Sequence, residues 1–229
     1  MRPSRLVAAV LLFLFPPVAL LIAAPLVAGA DAEDEIAASD DGFVPLFDGK
    51  SFAGWEGDTE HTFRIEDGAV VAGSLEKPIP RNEFLCTKES YGDFELRLEA
   101  KLTGAGQNAR VQFRSRRMPD HHEVIGYQCD MGTGQGRSIW GSLYDESRRR
   151  RFLAEGDADK VKEAVRDDWN ELVIRCEGPR ITISVNGLET VDYTEEEADV
   201  PRDGIIGLQI HGGDPAEARY RNIRIKVLK

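Results

Sequence analysis

Residues 108–151 read NARVQFRSRRMPDHHEVIGYQCDMGTGQGRSIWGSLYDESRRRR, and polar and apolar residues alternate in much of this stretch. Successive side chains of a β-strand point to opposite faces. Gln112 and Arg114 are therefore expected on one face of a strand, and Gln128 and Asp130 on one face of the next. The stretch predicts neighbouring strands that present amides, a guanidinium and a carboxylate from one sheet face.

Other polar and aromatic residues fall near the same predicted strands. Glu123 precedes the second strand, and Trp140 and Tyr144 follow it. In LQIHGG, residues 208–213, Gln209 and His211 share a face of another strand. Planar hydrogen-bonding groups, titratable groups and aromatic rings together suit a sugar ligand. The competing interpretations are ordinary ones: Arg114 in a surface salt bridge, the carboxylates paired with nearby arginines, His211 capping a loop, and the rings of Trp140 and Tyr144 packed in the core. Trp55 and Trp169 are expected to pack in the core.

The remainder of the chain is rich in strand signals. FELRLEAKL, residues 94–102, alternates strictly and predicts a half-buried antiparallel strand. Asp67-Gly68 and Asn186-Gly187 predict tight hairpin turns. Only residues 158–165 permit a helix. Many short strands with glycine-containing turns predict an all-β fold, either a β-sandwich or a jelly roll of two antiparallel sheets.

The N-terminus has the features of a secretion signal. Arg2 and Arg5 precede a long apolar run, and Ala28-Gly29-Ala30 provides a small-residue cleavage site. We expect a signal peptide at residues 1–30, an acidic disordered linker at residues 31–42 and one folded domain at residues 43–229. Because the apolar run is long, an uncleaved membrane anchor is the alternative. Cleavage would place the domain in the periplasm or outside the cell.

Charge and cysteine content narrow the function further. A formal net charge of −11 disfavours nucleic acid as a partner, and a membrane is expected as one only if the signal is uncleaved. The run Arg148–Arg151 is an exception that is more typical of a solvated loop. Cys86, Cys129 and Cys176 are interpreted as buried small side chains whose spacing matches no zinc motif. Neither a metal nor a cofactor is expected, since His121 and His122 are adjacent on the chain and would point apart.

Several phrases, in order, resemble the 3-keto-disaccharide hydrolase family. They are FVPLFDGKSFAGW from Phe43, FRIEDGAVVAG from Phe63, FLCTKESYGDFELRLEAKL from Phe84, GQNARVQFRS from Gly106, HHEVIGYQCDMG from His121 and the closing segments DWNELVIRCEG, GIIGLQIHGG and YRNIRIKVL. The resemblance spans nearly the whole domain. It implies a concanavalin A-like lectin/glucanase sandwich and an exported enzyme. One departure is Arg110, which stands where the family usually has glycine, so the substrate pocket is expected to differ there.

The resemblance implies an oxidised carbohydrate as the substrate. A 3-keto group acidifies the C2 proton, a base removes that proton, the group at C1 leaves, and water adds back. The expected catalytic residues are Arg114, Glu123, Asp130 and His211. The expected substrate-binding residues are Asn108, Gln112, Gln128, Trp140, Tyr144 and Gln209. The alternatives are a lectin-like carbohydrate-binding module on the same fold and a structural envelope protein. The sugar, its linkage and the oligomeric state stay open.

Overall fold

The structure is a computed structural model that describes residues 41–134 and 136–229. These residues belong to one compact unit. They form sixteen β-strands and one short α-helix. The predicted signal peptide and nearly all of the predicted linker lie outside the described residues. No helix among the described residues has the length and apolar character that a membrane span requires.

The strands form two antiparallel sheets, which confirms the predicted all-β fold. In spatial order, sheet A contains β14 (Leu188–Thr194), β13 (Arg180–Val185), β12 (Asn170–Glu177), β6 (Phe94–Gly104), β16 (Ala216–Val227), β4 (Ala69–Ser74) and β3 (Phe63–Glu66), with β1 (Val44–Pro45) beside β16. Sheet B contains β11 (Phe152–Ala154), β10 (Leu143–Glu146), β8 (Val124–Gly134), β7 (Asn108–Arg117), β15 (Ile205–Ile210), β5 (Glu83–Thr87) and β2 (Trp55–Glu56), with β9 (Arg137–Ser138) beside β8.

The core lies between the two sheets and follows the predicted alternation. Leu96 and Leu98 of β6 contribute to it from sheet A, and Val111 and Phe113 of β7 from sheet B. All four are at most 1% exposed. Burying such side chains is the main favourable term in folding, at about 1.5–3 kcal/mol each. The three cysteines are buried, as predicted, and all three are free thiols, although the sequence left one disulfide possible.

The local predictions hold where the turn chemistry is strong. Asp67-Gly68 joins β3 to β4, and Asn186-Gly187 joins β13 to β14. All four turn residues have positive φ, as such tight turns require. The single helix, α1 (Ala158–Ala164), lies where the sequence permitted one and begins after the capping side chain of Asp157.

The outer face of sheet A is a lattice of paired charges. Arg219 contacts both Glu66 and Glu217 at 3.0 Å, and Lys101 lies 2.7 Å from Asp168. Trp169 lies on this face as well, half-buried beneath the Arg221 guanidinium, which is 4.0 Å from its ring centre. The expectation that Trp169 packs in the core is therefore wrong. The corresponding expectation for Trp55, which is 4% exposed, is confirmed.

The arginine run after β10 is less solvated than its composition suggested. Arg149 pairs with the fully buried Asp145 and with Glu195, whose carboxylate also accepts a hydrogen bond from the Tyr127 hydroxyl. Arg148 pairs with Asp145 as well. These contacts hold the pKa of Glu195 down to about 2, against the effect of its burial. The run thus links sheet B to the segment that follows β14.

A bulge interrupts β7 between Phe113 and Arg116 and redirects Arg114. Arg114 has a φ of +44° and is 2% exposed. Its guanidinium donates to the carbonyls of Gly92 and Gly178 at 2.9 and 2.8 Å and pairs with Asp93 at 2.8 Å. Gly92 and Asp93 precede β6, and Gly178 follows β12, so Arg114 ties sheet B to sheet A. Strict alternation predicted that Arg114 shares a face with Gln112, and that prediction is wrong.

Two glycines make room for this bulge. A Cβ on Gly126 of β8 would lie 2.7 Å from the Ser115 Cα, and one on Gly204 would lie 2.4 Å from the Ser115 carbonyl oxygen. Both separations are shorter than van der Waals contact. The bulge is therefore possible only because its two neighbours carry no side chain.

We predict that Gly204→Ala lowers the free energy of unfolding by about 1–3 kcal/mol, because the added methyl group overpacks the bulge. Urea denaturation measures the change. Gly92→Ala is the matched control, since its Cβ would meet nothing nearer than the Arg202 carbonyl at 3.9 Å. Equal stabilities for the two variants would contradict the close-approach argument.

Candidate functional site

Polar side chains gather on the outer face of sheet B, in the middle of the sheet. Three neighbouring strands contribute directly opposed residues: Arg110 lies opposite Asp130 on β8 and opposite Gln209 on β15, and Gln112 lies opposite Gln128. Gln112, Gln128, Asp130 and Gln209 are at most 1% exposed. The structure thus brings together these four residues, all of which the sequence predicted as site residues, and places Arg110 in their midst as a fifth.

Arg110 is the cation at the centre of this face. Its Nε donates to Asp130 Oδ1 at 3.0 Å, and its Nη1 donates to Gln209 Oε1 at 3.0 Å. Its Nη2 makes no hydrogen bond to another residue of the described chain. A guanidinium held at two points, with its third nitrogen uncommitted, is a donor whose orientation is already set before a ligand arrives.

A chain of amides runs beneath Arg110. The Ser115 hydroxyl lies 3.0 Å from Gln112 Oε1, and Gln112 Nε2 donates to Gln128 Oε1 at 2.5 Å. The amide nitrogen of Gln128, Nε2, is buried without a hydrogen-bond partner. Gln128 nevertheless lies near Asp130 and acts to lower the pKa of that carboxyl. Gln209 Nε2 is also buried without a partner. Two amide donors are thus left unsatisfied on this face, and buried unsatisfied donors are costly and uncommon.

Asp130 has the properties of a group that exchanges protons near neutral pH. Burial raises the pKa of its carboxyl from 3.8 to about 6. The positive charge of Arg110 opposes this shift, and the negative charge of Glu146 adds to it. A carboxyl with this pKa is present in both protonation states close to neutral pH, so it can act as an acid or as a base.

His211 follows β15 directly and lies near Arg110. Burial and the Arg110 charge lower the pKa of the imidazole, while its contact with Gly212 and the charges of Glu123 and Glu146 act in the opposite direction. Its Nδ1 lies 2.6 Å from the Gly212 carbonyl oxygen, which can only accept a hydrogen bond. The proton of the neutral ring therefore lies on Nδ1, and Nε2 keeps its lone pair. His211 is arranged as a neutral base.

Glu123 closes one end of the face, just before β8. Its Oε1 accepts a hydrogen bond from Asn82 Nδ2 at 2.9 Å and lies 3.4 Å from His122 Nε2. Its Oε2 is buried without a partner. Tyr144 lies opposite Gln128 on β10, and burial raises the pKa of its hydroxyl. Asn108 begins β7, and its carbonyl accepts the His211 backbone N–H at 3.2 Å.

An apolar patch borders the polar face. Phe84 and Cys86 of β5 pack against Val124 and Ile205. Burial raises the pKa of the Cys86 thiol to about 12, so this cysteine stays protonated and is a poor nucleophile near neutral pH. The face is thus polar at its centre and apolar toward β5.

Two predicted site residues do not belong to this face. Arg114 contacts Gly92, Asp93 and Gly178 instead, because the bulge turns it away. Trp140 is 6% exposed and lies within the main core, so it packs rather than presenting its ring to a ligand. The structure places the others on or beside the face: Asn108, Gln112, Glu123, Gln128, Asp130, Tyr144, Gln209 and His211.

Sequence reasoning missed two members of the cluster. Arg110 was noted only as a departure from glycine, although it has the same strand parity as Gln112, a signal that could have placed it on the same face. Nothing in the sequence around Asn82 indicated that it belongs to the site. Its side chain joins Glu123 to Gly212, two positions that lie 41 and 130 residues away in the chain.

The part of the chain that the structure describes offers no second centre in a metal-ligand cluster or in the clefts of sheet A. Among residues 41–134 and 136–229, no three His, Cys, Asp or Glu side chains are arranged to hold a metal ion. Clefts of about 430 and 410 Å³ lie along sheet A, lined by residues such as Arg97, Glu99, Lys101 and Arg219. All four of these charged side chains form ion pairs with other residues of this face. The buried, unpaired polar atoms and the raised carboxyl pKa favour sheet B as the chemical site.

The pKa of Asp130 predicts a pH-dependent contribution to stability. Because the folded-state value of about 6 exceeds the ordinary value of 3.8, protonation favours the folded protein. Relative to Asp130→Asn, the free energy of unfolding of the wild type should fall by about 1.4 kcal/mol per pH unit from pH about 4 to about 6, and then level off. Urea denaturation at several pH values tests this. A difference that stays constant with pH would contradict it, and Asp192→Asn, which removes an exposed carboxylate, is the control.

Comparisons with known structures agree on the fold. A candidate glycosyl hydrolase from Parabacteroides distasonis superimposes with a TM-score of 0.58 at 16% identity, covering 82% of this chain and 95% of its own. The carbohydrate-binding module CBM66 from Bacillus subtilis gives 0.57 at 16% identity, with 76% and 95% covered. The β-glucanase of Bacillus licheniformis gives 0.53 at 11% identity, with 82% and 97% covered.

At these identities the structural matches establish a glucanase- and galectin-like sandwich and nothing finer. No curated protein matches the sequence. The family model for the 3-keto-alpha-glucoside-1,2-lyase-like domain, however, matches residues 42–226, nearly all of the described chain. This chain therefore belongs to the 3-keto-alpha-glucoside-1,2-lyase-like domain family.

Proposed function

We propose that this protein cleaves 3-keto-glycosides, such as 3-keto-disaccharides, on the outer face of sheet B. The family assignment and the fold support a carbohydrate-active protein. The observation that carries the proposal is the placement of an uncommitted Arg110 nitrogen among two candidate proton carriers, Asp130 and His211. Removing a proton next to a carbonyl requires such a set: a cation for the oxygen and a base for the proton.

In this mechanism, Arg110 Nη2 donates to the 3-keto oxygen and stabilises the negative charge that develops there. His211 Nε2 takes the C2 proton, because its Nδ1 is already protonated. The electron pair left at C2 forms a double bond to C1, and the C1–oxygen bond breaks. Asp130, in its protonated form, returns a proton to the departing oxygen. Water then adds across the double bond: its oxygen bonds to C1 as Asp130 takes its proton, and His211 returns a proton to C2, so that net hydrolysis is complete and both residues regain their starting forms.

The remaining residues of the face bind and orient the sugar. The unpartnered Nε2 atoms of Gln128 and Gln209 can donate to hydroxyl or ring oxygens. Tyr144 offers a ring edge beside Gln128, and Glu123 can accept from a sugar hydroxyl through Oε2. The mechanism assigns to Arg110 the role that the sequence suggested for Arg114, whose donors are already used. We further propose that residues 1–30 export the domain to the periplasm or beyond.

A non-catalytic carbohydrate-binding module is the second candidate. The similarity to CBM66 favours it, as does the number of amides on the face. The two candidates differ in what the titratable groups do. A binding module would retain the sugar unchanged, whereas the proposed enzyme exchanges the C2 proton. An envelope role is disfavoured, because it would call for an apolar face rather than one built around Arg110 and Asp130.

The test incubates the purified protein with a 3-keto-disaccharide and with its unoxidised parent in deuterated buffer. We expect deuterium at C2 or cleavage of the keto sugar only. Arg110→Met should lower kcat/KM by about 10²–10³-fold, because it removes the donor that stabilises the developing oxyanion.

Arg116→Met is the matched control, since Arg116 lies exposed on the same strand and should leave kcat/KM unchanged. If the keto sugar binds in calorimetry but neither exchanges nor breaks, the protein is a binding module. If Arg110→Met is as active as the wild type or more so, Arg110 obstructs the face and does not polarise the carbonyl.

A further inference from the structure

One short segment connects two residues of the proposed site, the base His211 and the sugar-binding Glu123, from outside the site. Residues 79–82 run antiparallel to the turn after β15, and Ile79 and Gly213 exchange two backbone hydrogen bonds at 2.9 Å. The packing is close, since a Cβ on Gly212 would lie 2.7 Å from the Arg81 Cα. The position of the His211–Gly213 turn is therefore set by this segment.

The side chain of Asn82 connects the same segment to the carboxylate of Glu123 as well as to the His211–Gly213 turn. Its Oδ1 accepts the Gly212 N–H at 3.0 Å, and its Nδ2 donates to Glu123 Oε1 at 2.9 Å. Gly212 in turn accepts the Nδ1 hydrogen bond that sets the His211 tautomer. One amide thus spans Glu123 and the peptide that orients His211, using one acceptor and one donor.

We propose that Asn82 is a positioning residue that holds Glu123 and His211 in one arrangement for the reaction. This inference rests on the proposed function of the same site. The Asn82 amide offers both an acceptor to Gly212 and a donor to Glu123, whereas an ionised carboxylate of the same length offers acceptors alone. Asn82 touches neither the sugar nor the reacting atoms in this scheme. Its removal should lower kcat strongly, because it displaces the base His211, and should raise KM less, because it disturbs only the one sugar contact of Glu123.

The charged surroundings decide how variants respond to pH. His122 lies beside Glu123, Arg81 pairs with Glu83 next to Asn82, and Arg110 and Glu146 act on His211. Asn82→Asp keeps the acceptor for Gly212 but places a second carboxylate against Glu123. Two carboxylates at this distance share one proton when the solution is acidic enough, and the shared proton rebuilds the lost hydrogen bond. Asn82→Ala has no group that could do so.

The experiment measures kcat for the wild type, Asn82→Ala and Asn82→Asp on the 3-keto-disaccharide between pH 5 and pH 8. At pH 8 we expect both variants to lose about 100-fold in kcat, the size of effect that a misplaced catalytic group produces. As the pH falls, the ratio of Asn82→Asp to wild type should rise at least tenfold, while the ratio for Asn82→Ala stays level. Parallel profiles for the two variants, or wild-type kcat in Asn82→Ala, would overturn the inference.

A second readout does not depend on turnover. Nitrogen-15 NMR of the His211 ring, assigned with His211→Gln, should show the Nδ1–H tautomer in the wild type and a mixture of tautomers in Asn82→Ala. An unchanged tautomer would overturn the positioning role even in an active enzyme. If the wild type never turns over a keto sugar, the proposed function fails, while the NMR result still decides whether Asn82 orients His211.

Discussion

The structure depends on one irregularity, the bulge at Arg114 and Ser115 in the middle of sheet B. A regular strand would place Arg114 on the outer face, in line with Gln112. The bulge instead buries its guanidinium against two carbonyls and Asp93, at the start of β6 and the end of β12 in sheet A. A buried cation is tolerated only where its donors are satisfied and a counter-charge is near, and Arg114 has both. The positive φ of Arg114 is maintained by those contacts.

The same bulge gives two arginines of β7 different roles: Arg114 joins the two sheets, and Arg110 belongs to the proposed site. Arg110 precedes it on the strand and stays on the outer face, where it contacts Asp130 and Gln209. Ser115, part of the bulge, lies against Gln112 and so begins the amide chain that leads to Asp130. From the other side of the sandwich, the Tyr220 hydroxyl of β16 donates to the Gln209 carbonyl at 2.5 Å. The site is therefore supported by both sheets although it is exposed on only one.

The polar face is a place where the fold accepts a cost in stability. Gln128, Gln209 and Glu123 each carry a buried polar atom without a partner, and the Asp130 carboxyl is held away from its ordinary pKa. Such groups would be more stable in water or replaced by apolar side chains. On the outer face of sheet A, by contrast, most charged side chains form ion pairs. This contrast is the physical reason to seek the chemistry on sheet B.

The sequence by itself determined the all-β class, the hairpins at Asp67-Gly68 and Asn186-Gly187, the helix at α1, the burial of the three cysteines and most residues of the polar face. These follow from period-two alternation and turn chemistry, which act over a few residues. The tertiary structure decided what depends on distant segments. It removed Arg114 from the face, because strand parity cannot reveal a bulge that needs one glycine on β8, Gly126, and another just before β15, Gly204. It buried Trp140, placed the half-buried Trp169 on the outer face of sheet A and brought Asn82 between Glu123 and Gly212. Such contacts join residues that no local pattern connects.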